Sequence, residues 1–276
     1  MSTTYQAPAV KKAFQVLQLI AGTDRGMGIS ELAKNLGISK GTVHGITSAL
    51  EEAGVIIRNP FTKKYNLGYT LIELGKKGLS KIPLREAARR HMERLVEETD
   101  ETVFLGILRG DHILIVDAAE SNKELKITSP SGTKLSLTAG AAAKVFLAYA
   151  DEKKALEYLR TKGLPKYTEN AITDLQTYLE EIKKVRKRGF ATDREEYLQG
   201  VNAVAAPIQS HGPFLAAIWV VGFSSSITED KMQHIIERTV AAAEAISKDL
   251  AVRESAHASG SGVQSHPNRD PAHNTM

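Results

Sequence analysis

The sequence has 276 residues and no cysteine, with 42% hydrophobic and 25% charged residues and a net charge of +4. The absence of cysteine excludes a disulfide framework and thiolate metal sites. No apolar run approaches the roughly 20 residues of a membrane helix, and the first residues lack the apolar core of a signal peptide. We therefore expect a cytoplasmic globular protein of about two domains.

The charge is unevenly distributed along the chain. Residues 1–81 contain 11 Lys and Arg against 5 Asp and Glu, a net charge of +6, whereas residues 82–276 contain 25 and 27, a net charge of −2. A basic first third joined to a near-neutral remainder is typical of a nucleic-acid module attached to a module of another kind. The charge distribution alone is equally consistent with a first domain that is soluble but does not bind nucleic acid.

Three amphipathic segments near the start predict a helix-turn-helix. The second and third segments flank the compact turn Gly37-Ile38, with Ser30 and Ser39 expected as N-caps and Gly54 ending the third helix. Such a turn presents the third helix to the major groove of DNA. The predicted helices are Val10–Ala21, Ser30–Leu36 and Ser39–Ala53.

A hairpin pattern follows the third helix. Two short apolar segments, Val55–Arg58 and Lys64–Leu67, surround turn residues and carry a basic flank, which is typical of a wing. Tyr69–Lys81 then predicts a further helix that leads out of the module. We place a winged helix-turn-helix domain at residues 1–68 and a linker helix at residues 69–82.

The side of the third helix opposite its apolar residues is bare, because Gly41 and Gly45 lie on it. Gly45 costs about 1 kcal/mol relative to alanine, which reflects either tolerated drift or a need for close approach to DNA. Only a few side chains on this side can then contact the bases, and the first helical turn and the wing offer phosphate contacts. The candidate DNA-binding residues are Ser39, Lys40, Thr42, His44, Ser48, Arg58, Lys63 and Lys64. A winged helix that contacts protein instead is the alternative.

Beyond residue 82 the pattern changes to hairpin strands, then helices, then more strands, which predicts an antiparallel α+β domain at residues 83–254. The predicted strands are Thr102–Leu108, His112–Ala118, Leu125–Ser129, Asn202–Ile208 and Leu215–Phe223. The predicted helices are Leu84–Thr99, Ala139–Ala150, Glu152–Lys162, Asp174–Gly189 and Thr228–Glu254. Residues 255–276 are too polar to pack, and we expect a disordered tail.

The chain resembles the IclR family of bacterial transcriptional regulators from about Val10 to Glu254. The resemblance rests on GISKGTVHGITSALEEAGVI with NPFTKKYNLG, on SGTKLSLTAGAAAKVFLAY, and on RGFATDREEYLQGVNAVAAPI followed by LAAIWVVG, in family order and spacing. It implies a GAF-like effector domain that binds a small organic molecule, commonly a carboxylate. It also implies a homodimer built through the N-terminal modules, often paired into a dimer of dimers, that represses or activates metabolic genes.

Small residues predict an anion site at the start of the helix that follows Thr138. We expect Thr138 to cap this helix, and its small first-turn residues Gly140–Ala143 leave N–H groups reachable. The same residues also suit tight packing of a helix on a sheet. By the resemblance, the effector-contact positions are Leu135, Ala141, Ala142, Asp193, Val201, Ala203, Trp219 and Val221.

The chain departs from family members that bind small polar acids. Trp219 and Val221 stand where those members can place hydroxyl side chains, and alanines partly replace the glycines at the helix start. These changes make the pocket more apolar and add an aromatic surface. We therefore expect a carboxylate effector with an aromatic or apolar body. Gly45 stands where an arginine is frequent, so the family's DNA contact at that position does not carry over.

Two other classes of function compete. Asp193, Glu195 and Glu196 could act as acid–base carboxylates of a hydrolytic enzyme, but the sequence contains no nucleophile elbow, phosphate loop or zinc-protease motif. We expect no catalytic residue, metal or cofactor, and no membrane partner. A ligand-sensing module that acts through protein contacts is the second rival, and it would not bind promoter DNA.

Overall fold

The computed structural model of the chain describes residues 7–80, 83–209 and 216–260. The chain folds into two compact units, Met1–Lys81 and Ile82–Met276. The first is a helix-turn-helix with a short hairpin, and the second is an antiparallel sheet covered by helices. The predicted α+β class is confirmed. Within the described ranges, no helix is long and apolar enough to cross a membrane.

The N-terminal unit is held together by apolar side chains from its helices and its hairpin. Val16, Leu32, Val43, Ile56 and Tyr65 are almost fully buried in one cluster, so the helical spacing of the apolar residues in the sequence does define the core. The helices are α1 (Pro8–Ala21), α2 (Ile29–Leu36), α3 (Lys40–Glu52) and α4 (Thr70–Ser80), and the hairpin strands are β1 (Ile56–Arg58) and β2 (Tyr65–Leu67).

Of the two N-caps predicted for the N-terminal unit, one is correct. The Ser39 hydroxyl accepts the Thr42 N–H at 3.1 Å and caps α3. The prediction for Ser30 is wrong, because α2 begins at Ile29 with Gly28 as its N-cap. The physical reason is Glu31, whose carboxylate accepts the Gly28 N–H at 2.8 Å and closes the first turn from within the helix.

The second unit is built on a six-stranded antiparallel sheet in the order β5-β4-β3-β8-β7-β6. The two central strands, β3 and β8, are more than 100 residues apart in the sequence, with Phe104 directly opposite Trp219. The strands are β3 (Thr102–Arg109), β4 (His112–Ala119), β5 (Lys134–Ser136), β6 (Ala191–Arg194), β7 (Val201–Ile208) and β8 (Ala216–Phe223).

Helices cover both faces of this sheet, because strands of alternating side chains bury apolar residues on each side. The helices α5 and α9 pack on one face, and α6 and α8 pack on the other with α7 beside them. The helices are α5 (Pro83–Thr99), α6 (Gly140–Tyr149), α7 (Glu152–Lys162), α8 (Leu175–Arg188) and α9 (Glu229–Gly260).

Several sequence predictions for this unit are wrong. Leu125–Ser129 is a loop, and the third strand lies instead at Lys134–Ser136, where it pairs with β4. The strand β6 was not predicted, since Ala191–Arg194 is short and mostly polar. The helix α9 continues past the predicted end, Glu254, to Gly260.

Three other predictions fall on residues outside the described ranges. They are the helix end at Lys81, the strand start at Leu215, and residues 261–276 of the tail.

A buried polar corner joins the start of β3 to the end of β8. The Glu101 carboxylate is almost fully buried and accepts hydrogen bonds from Lys123 Nζ at 2.7 Å and from the Ser226 hydroxyl. A Cβ atom at Gly222 would overlap this carboxylate. The absence of a side chain at Gly222 therefore leaves the space in which Glu101 is buried and paired.

We predict that Gly222→Ala lowers the free energy of unfolding by about 1–3 kcal/mol, the usual cost of overpacking. Urea denaturation followed by far-UV circular dichroism measures the effect. In a Glu101→Ala background the added methyl has space, so the same substitution should lower the free energy of unfolding much less. An equal cost in both backgrounds would contradict the packing argument.

Candidate nucleic-acid interface and ligand cavity

The outer face of α3 is exposed and has little side-chain bulk at its middle. Added Cβ atoms at Gly41 and Gly45 would meet nothing closer than 3.9 Å, so neither glycine is required by packing within the unit. Of the polar residues predicted for DNA contact on this face, Thr42 bonds to Ser39 at 2.9 Å between hydroxyls, and the Ser48 hydroxyl lies 3.5 Å from His44 Nδ1.

The predicted reading residues of α3, Lys40, Thr42, His44 and Ser48, are all exposed. The cap at Ser39 orders the first turn of the helix while leaving early N–H groups without an intrahelical acceptor. This end of α3 has the geometry of an anion site at a helix N-terminus.

The hairpin presents a rigid tip. The Asn59 side chain accepts the N–H groups of Phe61 and Thr62 at 2.9 Å each, and Lys63 has a positive φ of 59°. Lys63 and Arg58 are exposed, whereas Lys64 is partly buried and pairs with Glu31 at 3.4 Å. Of the three basic wing residues predicted for phosphate contact, Lys64 is therefore already engaged within the unit.

A cavity of about 230 Å³ lies in the second unit, between the sheet and the start of α6. All eight residues predicted from the family resemblance line it: Leu135, Ala141, Ala142, Asp193, Val201, Ala203, Trp219 and Val221. The fold brings them together from β5, α6, β6, β7 and β8. A larger open groove of about 600 Å³ beside α9 contains none of these residues, and we place the candidate site in the smaller cavity because the predicted chemistry converges there.

One wall of the cavity is the small-residue start of α6. Thr138 does not cap this helix as predicted; Ala139 is the N-cap residue, and the Thr138 hydroxyl bonds to Ser136 and to Tyr167 instead. The first helical residue is Gly140, with a positive φ of 68°, which a side chain would strain. The small side chains of Ala141 and Ala142 then leave the first-turn N–H groups close to the cavity.

Asp193 is the buried acid of the cavity. Its side chain is 4% exposed, its Oδ1 accepts the Glu196 N–H at 2.6 Å, and its Oδ2 lies against Gly140. Burial, together with the nearby Glu196 carboxylate, raises the pKa of Asp193 to about 6, although the backbone hydrogen bond and Lys144 oppose the shift. The Asp193 carboxyl therefore changes between its neutral and charged forms around pH 6, well above the ordinary value of 3.8.

The other buried charge near the cavity is already paired. Lys144 is 2% exposed, donates to the Thr192 carbonyl at 2.9 Å and forms an ion pair with Glu196 at 2.6 Å. The Lys144 ammonium thus fixes the turn after β6 rather than facing the cavity as a free cation. Within the described ranges, no group of three histidine or acidic side chains could hold a metal ion.

The wall opposite α6 is aromatic. The rings of Phe104 and Trp219 lie 5.7 Å apart at 37°, and both side chains line the cavity. Trp219 was predicted, but Phe104 was missed because it reads as an ordinary apolar strand residue. Only the pairing of β3 with β8 would have identified it.

Further lining residues come from two loops that sequence reasoning did not assign to the site. Ile127, Thr128 and Ser129 belong to the segment wrongly predicted as a strand, and Tyr197 and Leu198 follow β6. The connection between β4 and β5 spans residues 120–133 without a helix or strand, and structureless loops of this length are usually functional. The sequence did not reveal this length, because Leu125–Ser129 was predicted as a strand.

An exposed helix-turn-helix with a wing, in one chain with a sheet unit that contains a ligand-sized cavity, defines a two-domain DNA-binding transcriptional regulator. The chain belongs to the IclR family: residues 9–60 match the IclR helix-turn-helix domain, and residues 76–248 match the bacterial transcriptional regulator IclR C-terminal domain.

Relatives and solved structures agree with this assignment. The HTH-type transcriptional regulator BhcR of Paracoccus denitrificans (strain Pd 1222) is 31% identical over 249 residues, covering 90% of this chain and 89% of BhcR. An IclR transcriptional regulator from Alicyclobacillus acidocaldarius superposes with a TM-score of 0.77 at 26% identity, covering 90% of this chain and all of that one. An IclR homolog complexed with 4-hydroxybenzoate, from Microbacterium hydrocarbonoxydans, shares the fold with a TM-score of 0.72 at 21% identity, covering 88% and 98%. The chain is a regulator and not an enzyme.

We predict that Asp193→Asn stabilises the protein increasingly as pH rises from 5 to 7.5. The folded pKa lies above the ordinary value of 3.8, so the folded state holds a proton that the unfolded state has lost, and stability falls as pH rises through this window. Asparagine keeps the Oδ1 acceptor without the charge, and its advantage should grow on the order of 1–2 kcal/mol. Urea denaturation at the two pH values measures it.

The matched control is Asp174→Asn, because the exposed Asp174 carboxylate caps α8 and the hydrogen bonds from Thr177 lower its pKa. This variant should show no gain at high pH. If the stability difference between Asp193→Asn and the wild type were the same at both pH values, burial would not be destabilising the charged form of Asp193.

Proposed function

We propose that this IclR-family regulator binds promoter DNA through α3 and the wing, and that a small carboxylic acid with a flat aromatic or apolar body controls the binding from the cavity. The observation that carries the proposal is the convergence of all eight predicted effector positions on one cavity of the second unit. A regulator of chromosomal promoters acts in the cytoplasm, and we propose that location.

The DNA part rests on the exposed, bare face of α3. Ser39 and the first helical turn suit one phosphate, and Lys40, Thr42, His44 and Ser48 are the candidates for base contacts. Arg58, Lys63 and Lys64 of the wing add basic side chains near the backbone. Because Lys64 is held by Glu31, we expect Lys63 and Arg58 to contribute more to binding than Lys64.

For the DNA interface, we predict that Gly45→Ala separates stability from binding. An added methyl meets nothing within 4 Å, so alanine should stabilise the helix by about 0.5–1 kcal/mol. If α3 approaches the base edges closely, the same methyl weakens binding to the promoter fragment upstream of the chain's own gene. Thermal unfolding and fluorescence anisotropy at two salt concentrations measure the two effects.

Effector affinity of the same variant is the internal control, and it should not change. Unchanged or tighter DNA binding by Gly45→Ala would contradict close approach at this position. Wild-type protein without salt-dependent binding to that fragment would instead favour a module that signals through protein contacts.

The effector part rests on the chemistry of the two opposite walls. A carboxylate suits the first-turn N–H groups of α6 at Ala141 and Ala142, since a helix N-terminus favours negative charge. A planar apolar body suits the surface of Phe104 and Trp219. The cavity volume of about 230 Å³ lies just below the usual roughly 300–1,000 Å³ of ligand pockets, so the ligand is small.

Asp193 sets the charge balance of such a complex. Two carboxylates that share a small cavity cannot both ionise without repulsion. The pKa of Asp193 is already raised to about 6 by burial, so an anionic ligand is accommodated with Asp193 protonated. In that form the Asp193 hydroxyl can donate a hydrogen bond to the ligand.

For the effector class, we predict that 4-hydroxybenzoate or benzoate binds more tightly than glyoxylate. Trp219→Ala should weaken the binding of the aromatic acids by about tenfold or more, because aromatic contact area is lost. Isothermal titration calorimetry gives the affinities. The control is Tyr158→Ala, a tyrosine of α7 that does not line the cavity. Tighter binding of glyoxylate, with Trp219→Ala harmless, would refute the aromatic class.

A homodimer, paired into a dimer of dimers, completes the proposal. The N-terminal unit exposes apolar side chains on two helices: Val10 and Phe14 on α1, and Ile72 and Leu74 on α4. Val10 and Phe14 lie four residues apart on one side of α1, and an exposed apolar patch is typical of an interaction site. A second copy of the chain is the expected occupant because a dimer matches paired operator half-sites.

A further inference from the structure

In the centre of the sheet, an indole ring occupies the space beside a glycine that a side chain would otherwise fill. A Cβ atom at Gly106 of β3 would lie 2.7 Å from Trp219 Cη2 and 2.8 Å from Trp219 Cζ3. Real Cβ atoms do not approach other heavy atoms so closely, so one of the two groups would have to move. Gly106 also follows a register irregularity between β3 and β4, which is where a strand glycine commonly marks a close approach.

The Trp219 ring is buried and packed beside the cavity. Its far edge rests on Gly106, Phe104 lies beside it with ring centres 5.7 Å apart, and the side chain is only 5% exposed. The ring also lines the cavity. Because the ring borders the ligand space, a ring displaced from Gly106 changes the space available to a ligand.

We infer that Gly106, which does not line the cavity, is a positioning residue: it seats the Trp219 ring against the sheet, and this seating sets the room left for a planar ligand. The position of the ring follows from the packing alone. The identity of the ligand rests on the proposed function. Gly106 and Trp219 form a large–small pair across two neighbouring strands, of the diagonal kind that aromatic side chains can bridge.

The first test uses the ligand-free protein, because Trp219 is the only tryptophan of the chain. In Gly106→Ala the indole ring leaves its seat, so its emission maximum and its quenching by acrylamide should both change. The matched control is Gly222→Ala, a glycine of the same sheet whose added methyl meets Glu101 and not Trp219. This control should be destabilised while keeping the wild-type emission and quenching.

The second test is a double-mutant cycle with 4-hydroxybenzoate and glyoxylate as probes. Gly106→Ala should weaken the binding of 4-hydroxybenzoate by about tenfold, because overpacking beside Trp219 is transmitted to the cavity. The binding of the much smaller glyoxylate should change less. In a Trp219→Phe background the ring is too short to reach Gly106, so the same substitution should cost little. The contact of the new methyl with the Leu114 carbonyl, at 3.1 Å, is present in both backgrounds and cancels.

The outcomes separate this inference from the proposed function. Wild-type emission and quenching in Gly106→Ala would overturn the inference, as would an equal loss of 4-hydroxybenzoate affinity in both backgrounds. Wild-type protein that binds neither acid would refute the proposed effector class, and the ligand-free fluorescence would still decide whether Gly106 seats the ring.

Discussion

The pairing of β3 with β8 is the interaction on which the rest of the second unit depends. It joins segments more than 100 residues apart and forms the middle of the sheet. On one face it buries Leu105 and Ile218 beneath α5 and α9, and on the other it sets Phe104 beside Trp219. Since side chains alternate along a strand, a shift of one residue in this register would exchange the two faces. The aromatic wall of the cavity and the hydrophobic core are therefore specified together.

The sequence predicts those parts of the structure that local chemistry determines. The periodicity of Val16, Leu32 and Val43 defines the N-terminal core, and the hydroxyl of Ser39 defines the start of α3. Long strands with continuous apolar residues were also recognised, because such a run is visible in the sequence even when the neighbouring strands are unknown. The cavity residues were found through family resemblance, since residues from five separate elements share no local signal.

The wrong predictions have physical causes in contacts with distant segments or with a competing neighbouring group. Leu125–Ser129 carries β-forming residues, yet Ile127 is used to line the cavity, and Lys134–Ser136 pairs with β4 instead. Glu31 replaces the expected cap at Ser30 because its carboxylate reaches the Gly28 N–H. The strand β6 exists because β7 offers it a free edge, which brings Asp193 opposite Ala203 and into the cavity. Each outcome depends on a contact with a distant or competing group.

The packing of Trp219 on Gly106 also bears on how such a cavity can diverge. The two residues share one volume, so the residue tolerated at either position depends on the residue at the other. A smaller side chain at position 219 would open space that a larger residue at position 106 could fill, whereas the reverse order of changes passes through a crowded intermediate. Along this lineage, substitutions that retune the cavity are thus expected to be ordered in time, with position 219 changing before position 106.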